Sequence, residues 1–160
     1  RIDELRAKYE PLLTENGVFV EEAKDEVSIT GRVMNMRESS AKLVFIDLEG
    51  DQQKVQLFCN AANYTGDFNV LRESVKRGDI IGVKGFPGRT KTGELSVRPS
   101  TVEQLSYCLH MLPQRDGEKN VLNKDTRYRQ RYLDLIMNNP VKKIFQRRNQ
   151  VIDFVRQFLR

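Results

Sequence analysis

The spacing of apolar residues alternates between helical and strand intervals along this chain, and those changes limit the folds open to it. Residues 1–13 place Ile2, Leu5, Tyr9 and Leu12 at helical intervals, an amphipathic helix that Pro11 and Gly17 help to end. From Val27 the interval drops to two. In VSITGRV (27–33) Val27, Ile29 and Val33 share one face, and Ser28, Thr30 and Arg32 the other. KLVFIDLEGDQQKVQLF (42–58) reads as a hairpin turning within Glu49–Gln53, with Val44, Ile46, Leu48, Val55 and Leu57 inward. Residues 67–77 return to helical spacing through Phe68, Leu71 and Val75. RGDIIGVKGF (77–86) and ELSVRPS (94–100) are two more strands joined through the GRTKTG loop. Leu95 and Val97 face inward there, and Glu94, Ser96 and Arg98 outward.

Three strands, a helix and two strands therefore follow one another. Antiparallel strands with one wet face need closure to avoid long open edges. The expected fold is mainly β: a five-stranded OB-fold barrel, partly open, with the helix plugging one end. Gly31, Gly82 and Gly85 suit strongly bent barrel strands. An immunoglobulin-like sandwich would need more strands and no central helix.

Past Ser106 the composition shifts. YCLHMLPQRDGEKN reads as irregular, RYRQRYLDLI follows, and Asn139-Pro140 marks a helix start. Val141, Ile144, Phe145, Val151, Ile152, Val155, Phe158 and Leu159 then make a broad apolar stripe. The expected division is an N-terminal helix and connector (1–25), the barrel domain (26–106), and a linker with a C-terminal helical segment (107–160). The stripe has no evident partner in the sequence. With Arg rather than Met at residue 1 and a helical pattern running to Arg160, a fragment of a longer protein is expected, or a subunit interface.

Composition narrows the function classes. Lys and Arg number 27 against 22 Asp and Glu, so the net charge is 27 − 22 = +5, a balance that suits a polyanion without requiring one. No apolar run approaches the roughly 18 residues of a membrane span, and no signal-peptide pattern opens the chain. Cys59 and Cys108 read as free thiols rather than a disulfide. His110 is the only histidine, and Cys108-Leu109-His110 has no second ligand pair at metal-binding spacing. The expectation is no metal site and no catalytic constellation. GRTKTG (88–93) lacks the Walker pattern and joins strands, so it reads as a hairpin tip able to touch phosphate.

Phasing the strands by their inward residues collects an outward set: Arg32, Phe45, Gln56 and Glu94. An exposed ring can stack on a base for about 1–3 kcal/mol. A carboxamide offers a donor and an acceptor to a splayed-out base edge. Arg can contact phosphate or stack, while Glu is better placed to accept from a base N–H or to organise an arginine. Singly, each has a plainer reading. Phe45 can cover a loop, Gln56 can be a solvated strand residue, and Arg32 with Glu94 can be a cross-strand ion pair worth at most about 1 kcal/mol. Together on one barrel face they favour single-stranded nucleic-acid binding. Arg37, Arg89 and Lys91 are candidate phosphate contacts.

GELS (93–96), CLHMLP (108–113) and above all TRYRQRYLDLIMN (126–138) resemble class II lysyl-tRNA synthetases of the eukaryotic cytoplasmic type (subclass IIb), from about residue 27 onward. The RYRQRYLDL string is the specific part, because aspartyl and asparaginyl relatives keep only RYLDL. The resemblance implies an OB-fold domain that binds the tRNA(Lys) anticodon, ahead of a catalytic domain joining lysine to tRNA with ATP and Mg2+. It implies a cytoplasmic location and a homodimer formed through the catalytic domain. By resemblance Phe45 stacks on the middle uridine of the anticodon, Gln56 pairs with it, Arg32 lies beside it and Glu94 lies near the third base. The motifs holding the ATP-binding arginines are not in these 160 residues, so the chain alone is expected to bind tRNA, need no cofactor and catalyse nothing. NGVFVEEAKDE departs from the aromatic–proline entry of the family. The rival readings are a stand-alone OB-fold module for single-stranded nucleic acid, and an aspartyl or asparaginyl synthetase anticodon domain.

Overall fold

The computed structural model describes residues 1–20, 25–50, 53–113 and 122–160. The tip of the 42–58 hairpin, the end of the N-terminal connector and most of the irregular stretch after Pro113 lie outside these residues. The chain divides into two compact units, Arg1–Met111 and Leu112–Arg160.

In the first unit, α1 (Ile2–Tyr9) is followed by β1 (Val27–Ser40), β2 (Leu43–Gly50), β3 (Gln53–Asn60), α2 (Phe68–Ser74), β4 (Ile80–Arg89) and β5 (Leu95–Ser106). The strands close into a barrel in the order β1-β2-β3-β5-β4, with β4 returning to β1. All pairings are antiparallel except β3 with β5, which is parallel and rests on Gln56↔Ser96 and Leu57↔Val97. β1 serves two neighbours, pairing with β4 over Val27–Arg32 and with β2 over Arg32–Ser40.

The alternation in the sequence decides what fills the barrel. Val44, Ile46 and Leu48 of β2 and Leu57 of β3 are fully buried, and Ile29, Val33, Val55, Ile81, Val83 and Val97 join them. Each such side chain contributes about 1.5–3 kcal/mol relative to exposure. Ile2, Leu5 and Tyr9 of α1, Phe68 and Leu71 of α2, and Val75 just beyond it complete the cluster. Asp67 caps α2 by accepting from Asn69 N and Val70 N. α1 stops at Tyr9, short of the expected residue 13, because Pro11 interrupts the ladder, and Leu12 stays exposed. Of the three glycines expected at bends, Gly85 is forced: a Cβ there would lie 2.2 Å from the Arg98 carbonyl oxygen, at a register shift between β4 and β5. Gly82 has ordinary room, 3.5 Å from Leu105.

Both cysteines are free. Burial pushes the Cys59 thiol up to about 12, so inside the barrel it is a small apolar residue and no nucleophile. No helix among the described residues is long and apolar enough to cross a membrane.

The second unit holds α3 (Lys124–Arg129), α4 (Arg131–Met137) and α5 (Asn139–Phe158). RYRQRYLDLI is thus two short helices meeting at Gln130. Asp134 is buried and accepts from Arg127 Nε at 3.0 Å and from Asn138 Nδ2. Pro140 lies in the first turn of α5, as its missing N–H allows. The apolar stripe of α5 is bare: Ile144, Val151, Phe154 and Phe158 are each more than 60% exposed.

Candidate nucleic-acid interface

On the outward face of β2 and β3 the structure opens a cleft of about 820 Å³. Phe45, Gln56, Glu94, Arg37 and Lys91 all line it, so five residues singled out by strand phase or charge converge on one surface. Register explains the convergence. Phe45 pairs with Phe58 and with Arg37, while Gln56 pairs with Asp47 and Ser96. Side chains of one phase on neighbouring strands share a face.

Three rings form one wall. Phe58 meets Phe45 edge-on, with centroids 5.5 Å apart and planes at 66°, and stacks on Phe19 at 5.4 Å and 26°. Phe58 shares the outward phase of Gln56, two residues earlier, so alternation carried its signal. Phe19 sits in an irregular segment and carried none. It is held there because residues 17–20 lie along the barrel edge. Gly17 N donates to the carbonyls of Arg89 and Thr90, Val20 N donates to Pro87 O, and Arg89 N donates to Val18 O. The Phe19 ring rests on Gly88, where a Cβ would come within 2.4 Å of it.

The polar floor is tied together by hydrogen bonds and ion pairs. Gln56 faces outward as its phase requires, yet it is only 6% exposed. Its Nε2 donates to Glu94 Oε2 at 2.9 Å, and its Oε1 accepts from Ser96 Oγ at 3.2 Å. One amide hydrogen and one oxygen lone pair remain for a ligand. Arg37 forms an ion pair with Asp47 at 3.5 Å and Glu38 one with Arg72 at 2.7 Å. Lys91, at the tip of the β4–β5 hairpin, is exposed and makes no hydrogen bond or ion pair among the described residues.

Two residues picked from the sequence stand elsewhere. Arg32 does not line the cleft. Its Nη1 donates to the Gly78 carbonyl at 2.7 Å, and no bond joins it to Glu94 among the described residues. Arg89 spends its guanidinium on backbone, donating to the carbonyls of Leu13, Gly93 and Glu10, and so ties the segment after α1 to the hairpin. No group of three or more His, Cys, Asp or Glu among the described residues is placed to hold a metal ion. Within the second unit a smaller cavity of about 290 Å³ is lined by Lys124, Arg127, Tyr128, Arg131, Asp134 and Val141.

Residues 27–105 match the tRNA anticodon family model, described as an OB-fold nucleic acid binding domain. The chain is similar to the lysine–tRNA ligase cla4 of Cladosporium cladosporioides, 42% identical over 138 residues, which are 83% of this chain and 23% of that protein. It is 39% identical over 142 residues to the lysine–tRNA ligase of Methanoculleus marisnigri (87% and 27%) and 39% over 143 residues to that of Helicobacter pylori (87% and 28%). The chain spans about a quarter of the length of these relatives.

Proposed function

We infer function from one premise: the chain belongs to the lysine–tRNA ligase family and carries that family's OB-fold nucleic acid binding domain at residues 27–105. The cleft on β2 and β3 takes the bases of the tRNA(Lys) anticodon loop. Phe45 supplies a π-face for the middle base. The unused N–H and lone pair of Gln56 meet a carbonyl and the N3–H of uracil. Lys91 meets phosphate, and Arg37 stands beside Phe45 to do the same or to stack. The observation that carries this reading is the gathering of a half-buried ring and an otherwise dry carboxamide on the outer face of a closed barrel.

Four further proposals concern the complete ligase. It joins lysine to tRNA using ATP and Mg2+, pairs as a homodimer, works in the cytoplasm, and leaves no catalytic activity in these 160 residues. The first three rest on family membership alone.

Binding isotherms on anticodon stem-loops bearing uridine or cytidine at the middle position, at several salt concentrations, test the reading. Charge alone does not distinguish bases, so Lys91→Ala weakens both loops alike and flattens the salt dependence. Gln56→Ala leaves the salt slope unchanged and removes about 1–3 kcal/mol of uridine preference, by analogy with base-edge discrimination. A wild-type chain with no uridine preference would leave a plain single-strand-binding module as the better account.

A further inference from the structure

An amide that reads bases has a weakness: rotated by half a turn, it exchanges donor for acceptor. Uracil presents N3–H between two carbonyls, whereas cytosine presents a bare N3 beside an amino group. A freely turning glutamine therefore serves either pyrimidine. For a base held against Phe45, the choice between them comes down to which end of the Gln56 amide stands where.

Gln56 is not free to turn. Its Nε2 lies 2.9 Å from Glu94 Oε2. An ionised carboxylate has no proton to give, so the group opposite it has to be the N–H end. Turning the amide would set two acceptors face to face at that distance with nothing between them. On the other side the Ser96 hydroxyl donates to Oε1 at 3.2 Å, or to the Glu94 backbone carbonyl at the same distance. Ser96 is wholly buried and Gln56 nearly so, which keeps the amide itself dry, while Glu94 reaches it from the exposed side of the cleft. The carboxylate is the stricter constraint, because a hydroxyl can donate or accept.

We propose that Glu94 is a positioning residue for base choice: it holds the Gln56 amide in the one orientation that suits uridine and excludes cytidine. This rests on the reading of the cleft as an anticodon site. Glu94 then determines specificity through its neighbour, whether or not it also touches a base.

The same 160-residue chain tests this with Glu94→Gln, which keeps shape and size but donates as well as accepts. The wild-type preference for uridine over cytidine loops is expected at about fivefold to 150-fold. In Glu94→Gln the cytidine loop binds more tightly than in wild type, the uridine loop weakens by no more than about threefold, and the ratio falls to about threefold or less. Ser96→Ala moves the ratio in the same direction by less. A gain of cytidine binding is the informative readout, since loosening the fold would not create it. Parallel weakening of both loops, or an unchanged ratio, overturns the proposal. If wild type has no uridine preference, or Gln56→Ala retains it, the anticodon reading fails first, and this inference with it.

Discussion

The barrel strands and α5 each carry a one-sided apolar pattern, at an interval of two in the strands and at helical spacing in α5, and put it to opposite ends. In the barrel, Val44, Ile46, Leu48 and Leu57 vanish from the surface, and α1 and α2 cover what the strands leave open. In α5 no residue is buried, and Val151, Phe154 and Phe158 face outward together. The second unit buries little of its own: the Asp134 carboxylate with its two donors, and the apolar Met137 and Leu112. Periodicity states which face a segment would bury. Only packing states whether that face is covered. This is why exceptions to the pattern are informative in the barrel: with its inward face accounted for, an outward ring such as Phe45 needs another reason.

Truncation inside and outside the barrel sharpens the contrast. Leu57→Ala removes a fully buried side chain from the centre of the cluster and should lower barrel stability by about 2–5 kcal/mol in denaturant titration. A loss below about 1 kcal/mol would mean the cluster is not what holds the strands together. Asp134→Ala strands the Arg127 Nε and the Asn138 amide, one of them partly wet, and should loosen α3 and α4 by about 1–3 kcal/mol. Faster amide exchange across 124–138 with an unmoved barrel midpoint is the expected signature, and a shifted midpoint would break the two-unit picture. Phe154→Ala should change stability by no more than about 0.5 kcal/mol, because the ring is 68% exposed. A larger loss would show that α5 already has a cover.

Strand number, strand phase and the central helix were legible because inward residues such as Ile46 and Val97 alternate without a break. The length of β1 was not. Beyond Val33 its residues are mostly polar and only partly buried, so no alternation marks the run to Ser40. The cleft was half legible. Phe45 and Gln56 betray themselves by phase, but the burial of Gln56 depends on Glu94, 38 residues away. The use of Arg89 as a tie depends on carbonyls 76 and 79 residues earlier. Arg32 has the right phase at the wrong end of its strand: it pairs with Glu49, four residues along β2 from Phe45. Alternation fixes a side and is silent about position along the strand. The family resemblance adds chemistry to each phase, and it cannot add that coordinate.

The parallel contact of β3 with β5 has a consequence in time as well as in space. It is the clasp of the hoop, two residue pairs long, and it joins segments some 40 residues apart. The β1–β4 pairing spans more chain, 48–58 residues, but rests on six residue pairs, so the two-pair join is the weaker closure and the first to spring. Gln56 stands on one side of the clasp and Glu94 on the other, linked across it. A nucleotide seated on both would stitch the hoop shut, and its affinity would include whatever the opening equilibrium gives back. Slower amide exchange at Leu57 and Val97 on adding a uridine stem-loop, with Ile81 and Val83 unmoved, would show a ligand at work as a rivet.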